Sequence, residues 1–218
     1  MYNNKNIVQK VKNSIWSRVV LGAMLVGMSM SSQASFMNLV LEDLGPDITS
    51  GFIDLDYNSS TNELTAVGEA ITLSLDPDVY SIEGITSFYG EFNLIANIDE
   101  NGELTTGSFN IFGKISNPEL NFTSGLLLSG SLSFLGFENG VGSLNFLFNV
   151  DDGDAKDLYG GIGGIILGYT GFENWNTDFS TTSAIADTGV PVPEPTSIWL
   201  LGSALVGFAG LARRKQKK

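Results

Sequence analysis

Between Ser35 and Val192 apolar and polar residues mostly alternate one by one. Phe92, Leu94, Ala96 and Ile98 fall at period two in Glu91 to Ile98, as do Phe109, Ile111, Gly113 and Ile115 in Ser108 to Ile115. Leu126 to Phe137 and Val141 to Val150 repeat the pattern through Leu128, Leu132, Phe134, Leu144, Phe146 and Phe148. Two shorter runs precede them: Phe52 to Tyr57, and Glu69 to Leu75 with Ala70 or Ile71, Leu73 and Leu75 as inward positions. Side chains of a strand point alternately to its two faces, so each run reads as a strand with one buried face. No stretch from Ser35 to Asp187 keeps a helical period, and the 26 glycines of the chain weaken helix interiors.

Turn chemistry joins these strands as hairpins. Asn101-Gly102 and Asn139-Gly140 each separate two alternating runs, and Asn-Gly favours the left-handed backbone that matches strand twist. Asn58 to Asn62 reads as a longer turn. Phe52 to Thr65 echoes Phe92 to Thr105 at an offset of about 40, with Glu63-Leu64-Thr65 answering Glu103-Leu104-Thr105. Two copies are too few for a solenoid. The expected fold is all-β: one antiparallel meander forming a single β-sandwich or a flattened barrel, over residues 35–180. Residues 181–195, rich in Ser and Thr and ending in prolines, read as a flexible, protease-accessible linker.

The two ends differ from the body. Lys5, Lys10, Lys12 and Arg18 precede an apolar stretch from Val19 to Met30, and Ser32-Gln33-Ala34 offers small residues for a signal peptidase. Residues 1–34 are therefore expected to be a signal peptide cut between Ala34 and Ser35. At the other end Pro193-Glu194-Pro195 is followed by an apolar run over residues 196–212 and a basic block opening with Arg213, Arg214 and Lys215. As a helix that run would be about 25 Å long, the short end of what spans a bilayer, and the basic block would hold residues 213–218 in the cytoplasm.

In order and spacing these three parts resemble the PEP-CTERM sorting signal of Gram-negative bacteria, a tail also labelled an ice-binding protein C-terminal domain. The resemblance covers residues 190–218. It implies recognition of Pro193, Glu194 and Pro195 by a membrane-embedded exosortase, cleavage near that motif, and release to the cell surface or extracellular polysaccharide. Until then the chain would span the inner membrane once, with its body in the periplasm.

Charge and composition narrow the rest. All but one of the 24 acids lie in the body, with only Lys114 and Lys156 to offset them. Such a surface repels nucleic acid and anionic lipid. The chain has no cysteine, so no disulfide staples the body, and no histidine, which removes imidazole metal sites and His-based catalysis. Asp151, Asp152, Asp154 and Asp157 surround Gly153 and offer the oxygen ligands a calcium ion wants, though not at EF-hand spacing; a solvated acidic loop explains them as well. Gly160 to Gly168 lacks the basic residue of a phosphate loop and reads as a buried strand with close backbone approach. Phe172, Trp175 and Phe179, set among Asn and Asp, could stack on sugar rings or close the core. No acid pair stands out for glycoside hydrolysis. The expected function is that of a non-catalytic surface or matrix protein associated with exopolysaccharide, needing no cofactor. The alternatives are a carbohydrate- or calcium-binding module carried by the same tail, or a carboxylate-based hydrolase.

Overall fold

Nine strands, β1 (Asp47–Asn58), β2 (Glu63–Leu75), β3 (Asp78–Ser81), β4 (Gly90–Ile98), β5 (Leu104–Ile115), β6 (Phe122–Phe137), β7 (Ser143–Asp152), β8 (Ile162–Gly168) and β9 (Phe179–Gly189), make up the body. Its only helical element among the described residues is one turn, α1 (Lys156–Tyr159). The computed structural model describes residues 39–42, 44–137, 142–168 and 174–192. The signal peptide with Ala34 and Ser35, the Asn139-Gly140 turn, Phe172, the Pro-Glu-Pro motif, the apolar run and the basic block all lie outside the described residues.

Every neighbouring pair of strands is antiparallel, in the order β1-β9-β8-β7-β6-β5-β4-β2-β3, and β1 also pairs with β2. That last pairing closes an eight-stranded barrel, which settles the choice between sandwich and barrel. The short β3 continues the wall beside the second half of β2, with Thr72 opposite Ser81 where β4 has ended opposite Ala70. An eight-stranded barrel is just narrow enough for its own side chains to fill it. Here they do: Phe92, Phe109, Phe146 and Phe148 are buried among Ile, Leu and Ala from all eight wall strands, with Tyr57 buried toward one end. Phe109 and Phe148 meet edge to face at 4.4 Å. Gly163 of β8 lies against the Phe148 ring, where any side chain would collide with it. The glycine-rich run is thus a wall strand, and its glycine makes room for an aromatic core.

The alternating runs fall on β1, β2, β4, β5, β6 and β7, and nearly all the expected inward positions are buried. Of the alternatives Ala70 and Ile71 it is Ala70 that points inward, with Leu73. Two positions move, and the first is Leu75, which is only half-buried. In β6 a register shift between Leu132 and Phe134 turns Leu135 to the core in place of Phe134. The 40-residue echo is real only as two hairpins. Phe92 is buried in β4, whereas Phe52 stands 71% exposed on a bulge of β1 with φ +51°.

The expected linker needs correction. Residues 179–189 are β9, paired with both β1 and β8, and Ala184, Ala186 and Thr188 are buried. The chain then stays extended. The Glu42 amide donates to Val190 O at 2.8 Å, Val192 N donates to Val40 O at 2.8 Å, and Leu41 bridges Pro191. The segment before β1 and the segment after β9 are stitched together at one rim of the barrel. Pro193 follows immediately.

Candidate functional site

The rim farthest from that exit carries the hairpin turns β1–β2 and β4–β5. In the first, Asn58 Oδ1 accepts from the Ser60 amide at 3.0 Å, the Ser60 hydroxyl at 2.6 Å and the Thr61 amide at 3.2 Å. In the second, Asp99 Oδ1 accepts from the Asn101 and Glu103 amides at 2.9 and 2.8 Å, and the Gly102 amide closes a turn on Asp99 O. These bonds, led by that from Glu103, hold the Asp99 carboxyl below its ordinary range. The hairpin signal at Asn101-Gly102 is met by a three-residue loop rather than a two-residue turn. Only Gly102 is left-handed, with φ +83°, and it packs against the rings of Phe137 and Trp175.

Trp175 closes this end of the barrel. It is 3% exposed and meets Tyr57, Phe137 and Phe179 edge-on at 5.0, 5.3 and 5.8 Å. Phe179 stacks on Tyr57 at 5.1 Å. The Tyr57 hydroxyl shares its proton between Ile98 O at 3.0 Å and Trp175 O at 3.2 Å. Trp175 and Phe179, two of the expected sugar-stacking rings, are brought together, but as a plug whose faces are spent on other rings. Above the plug lies an open polar cleft of about 500 Å³, lined by Ser59, Asn62, Asp99, Glu100, Asn101, Trp175 and Asn176. Asp178 braces its edge, accepting from the Ser59 hydroxyl at 2.6 Å and amide at 2.8 Å, which keep its carboxyl below the usual range. The cleft can offer hydroxyl, amide and carboxylate groups to a polar ligand.

The aspartates expected to bind calcium are drawn apart. Asp151 Oδ2 accepts from the Ser131 hydroxyl at 2.6 Å, across the β6–β7 pair. Asp152, next along the strand past a register shift, is exposed, and the Gly153 amide and then Lys156 at 3.6 Å lower its carboxyl. Asp154 Oδ2 accepts from the Ser124 amide at 2.9 Å, and Asp157 sits on the exposed side of α1. Among the described residues no three acidic side chains form a group that could hold a metal ion.

The sequence did not single out the acids at the exit rim. Asp47 and Asp187 lie on the paired strands β1 and β9, where Asp187 is opposite Thr49. Burial and then the charge of Asp187 push the Asp47 carboxyl up to about 6, and burial also raises Asp187. Asp47 Oδ1 is buried without a hydrogen-bond partner. Beside them Tyr159 of α1 plugs this end, its hydroxyl donating to Thr188 O at 2.7 Å. Only pairing across the closed barrel brings Asp47 to Asp187, so sequence spacing carries no sign of it.

The exit rim leads directly into the tail, and residues 191–215 match the family model of the PEP-CTERM protein-sorting motif. The tail is a PEP-CTERM sorting signal. A PEP-CTERM tail marks an exported protein handled at the membrane by an exosortase, and the match covers that segment alone. No curated protein and no solved structure matches the chain. The matched segment begins at Pro191, still bridged to Leu41 in the body, so barrel and sorting signal adjoin with no spacer. No helix among the described residues is long and apolar enough to cross a membrane; the 196–212 run lies outside them.

Proposed function

We propose that this protein is a non-catalytic surface or matrix component, exported through a signal peptide, held briefly in the inner membrane by residues 196–212, and released to the exopolysaccharide by exosortase cleavage near Pro193-Glu194-Pro195. The observation that carries this reading is the match of residues 191–215 to the PEP-CTERM motif. The barrel supports it. Its interior is filled by its own side chains, and the aromatic plugs at both ends are structural. The polar cleft beneath Asp99 and Asn176 supports a polysaccharide as the matrix partner, since sugar hydroxyls pair with amide and carboxylate groups of this kind. That contact would lie at the rim away from the tail. The test is the fate of the chain in cells that possess an exosortase. Replacing Pro193 and Pro195 by alanine should leave export intact but keep the protein in the membrane fraction at full length. Release of that variant with a shortened C-terminus would show that the motif is not what the protease reads.

A further inference from the structure

The exposed large hydrophobic side chains are unevenly spread over the barrel. Phe52, Val67, Ile95 and Ile185 sit well within wall strands, whereas Val79 on β3, Ile162 at the start of β8, Leu158 on α1 and the others among the described residues lie toward the exit end. The exit rim gathers the starts of β1, β4, β6 and β8 and the ends of β2, β5, β7 and β9. Val40, Leu44, Ile85, Phe88, Ile162 and Val192 project there, Leu44 and Phe88 being 74% and 83% exposed. The described turns of the opposite rim present Ser59, Ser60, Thr61, Glu100 and Asn101 instead. The exit rim also carries exposed acids, among them Glu42, Asp76, Asp78, Glu83 and Asp157, so its apolar side chains stand among charges; large exposed apolar side chains gathered at one end mark a contact surface.

The chain beyond the structure says what covers the apolar end. Val192 is tied to Val40, and the apolar run begins at residue 196. Four residues reach at most about 14 Å when fully extended. If residues 196–212 span the bilayer, the exit rim is held within roughly a headgroup layer of the hydrocarbon. We infer that the exit rim is a membrane-docking face: Leu44, Phe88 and their neighbours rest in the interfacial layer of the bilayer while the tail is anchored, and the polar rim points away. The inference rests on the reading of the tail as a membrane span. The partner is a zwitterionic phospholipid surface, because the acidic body is repelled by anionic headgroups. The rim side chains then add an apolar contact that the short, glycine-containing span lacks.

The absence of cysteine makes the test direct. The full chain is prepared with one introduced cysteine, Leu44→Cys or Phe88→Cys at the exit rim, Ser60→Cys or Glu100→Cys at the opposite rim. Each variant carries an environment-sensitive dye and is reconstituted into phosphatidylcholine vesicles containing spin-labelled lipid. Resistance to alkaline extraction reports insertion separately. The expected result is severalfold stronger quenching at residues 44 and 88 than at 60 and 100. Adding Leu44→Asp to the Phe88→Cys protein should weaken that quenching without changing insertion. An inserted chain whose rims are quenched equally, or not at all, overturns the docking face and leaves the span intact. Rim dyes shielded from both lipid and water would place a second copy of the chain there and also overturn it. A chain that fails to insert defeats the span reading, and the docking face with it.

Discussion

Asp47 is the residue at which the barrel opposes its own charge. Its carboxyl is raised to about 6 from the ordinary 3.8 by burial and by Asp187. The folded state therefore binds a proton that the unfolded chain has released across that window. The stability this proton brings is complete below about pH 3.8 and is lost as the pH rises through 6. Asp99 and Asp178 act oppositely: held low by hydrogen bonds, they stabilise the fold at higher pH and cease to as the pH falls. The wild-type profile mixes the two, so the Asp47→Asn difference isolates one of them. Discounted for partial exposure, that variant should gain on the order of 1 kcal/mol at pH 7.5, a rise of about 2–4 °C in melting temperature, and nothing near pH 4. Thermal melts at the two pH values check this. Trp175 makes the complementary case. As a plug it should cost about 3–5 kcal/mol on truncation to alanine. A ring kept for stacking on sugar would lose ligand binding and little stability, and a denaturant titration of Trp175→Ala separates the two.

At the scale of elements, β9 shows where period two stops being readable. In β4, β5 and β7 the inward positions are large, so Phe92, Phe109 and Phe148 announce their strands. In β9 the inward positions are Ala184, Ala186 and Thr188, whose side chains are too small to stand out from the Ser and Thr around them. The same composition that reads as a linker serves as a strand once β1 and β8 supply its hydrogen bonds. Amide hydrogen exchange should accordingly find residues 180–189 protected as strongly as β8, where a linker would exchange at once. Replacing Ala186 by leucine should overpack the interior at a cost of about 1–3 kcal/mol. The aromatic plug was half legible, because Trp175 announces a buried ring or a sugar platform equally well. The closure of the barrel was not legible, since it depends on β1 pairing with both its neighbour in sequence and the last strand. The aspartates of residues 151–157 were legible only as charge. A register shift leaves Asp151 unpaired between Val150 and Asp152, and Ser131, Ser124 and Lys156 take up three of the four.

For the molecule as a whole the question is how much chain the folded body requires. The last wall residue is Gly189, and the last backbone bond to the body is that from Val192 to Val40. A cut beyond Val192 therefore breaks none of the body's described contacts, whereas a cut at Phe179 removes a strand that bonds to two others. β9 cannot be spared, because without it β1 and β8 each face an open edge and the buried residues between them meet water. A chain from Ser35 ending at Val192 should melt within about a degree of the full chain, since it keeps every described contact of the barrel. A chain ending at Phe179 should fail to give a cooperative transition. Calorimetry of the two truncations distinguishes these outcomes, and a stable, cooperative chain ending at Phe179 would return residues 181–189 to the status of a linker. The first outcome is also what the proposed release by an exosortase requires: proteolysis near Pro193 would part the body from its sorting signal and leave its fold intact.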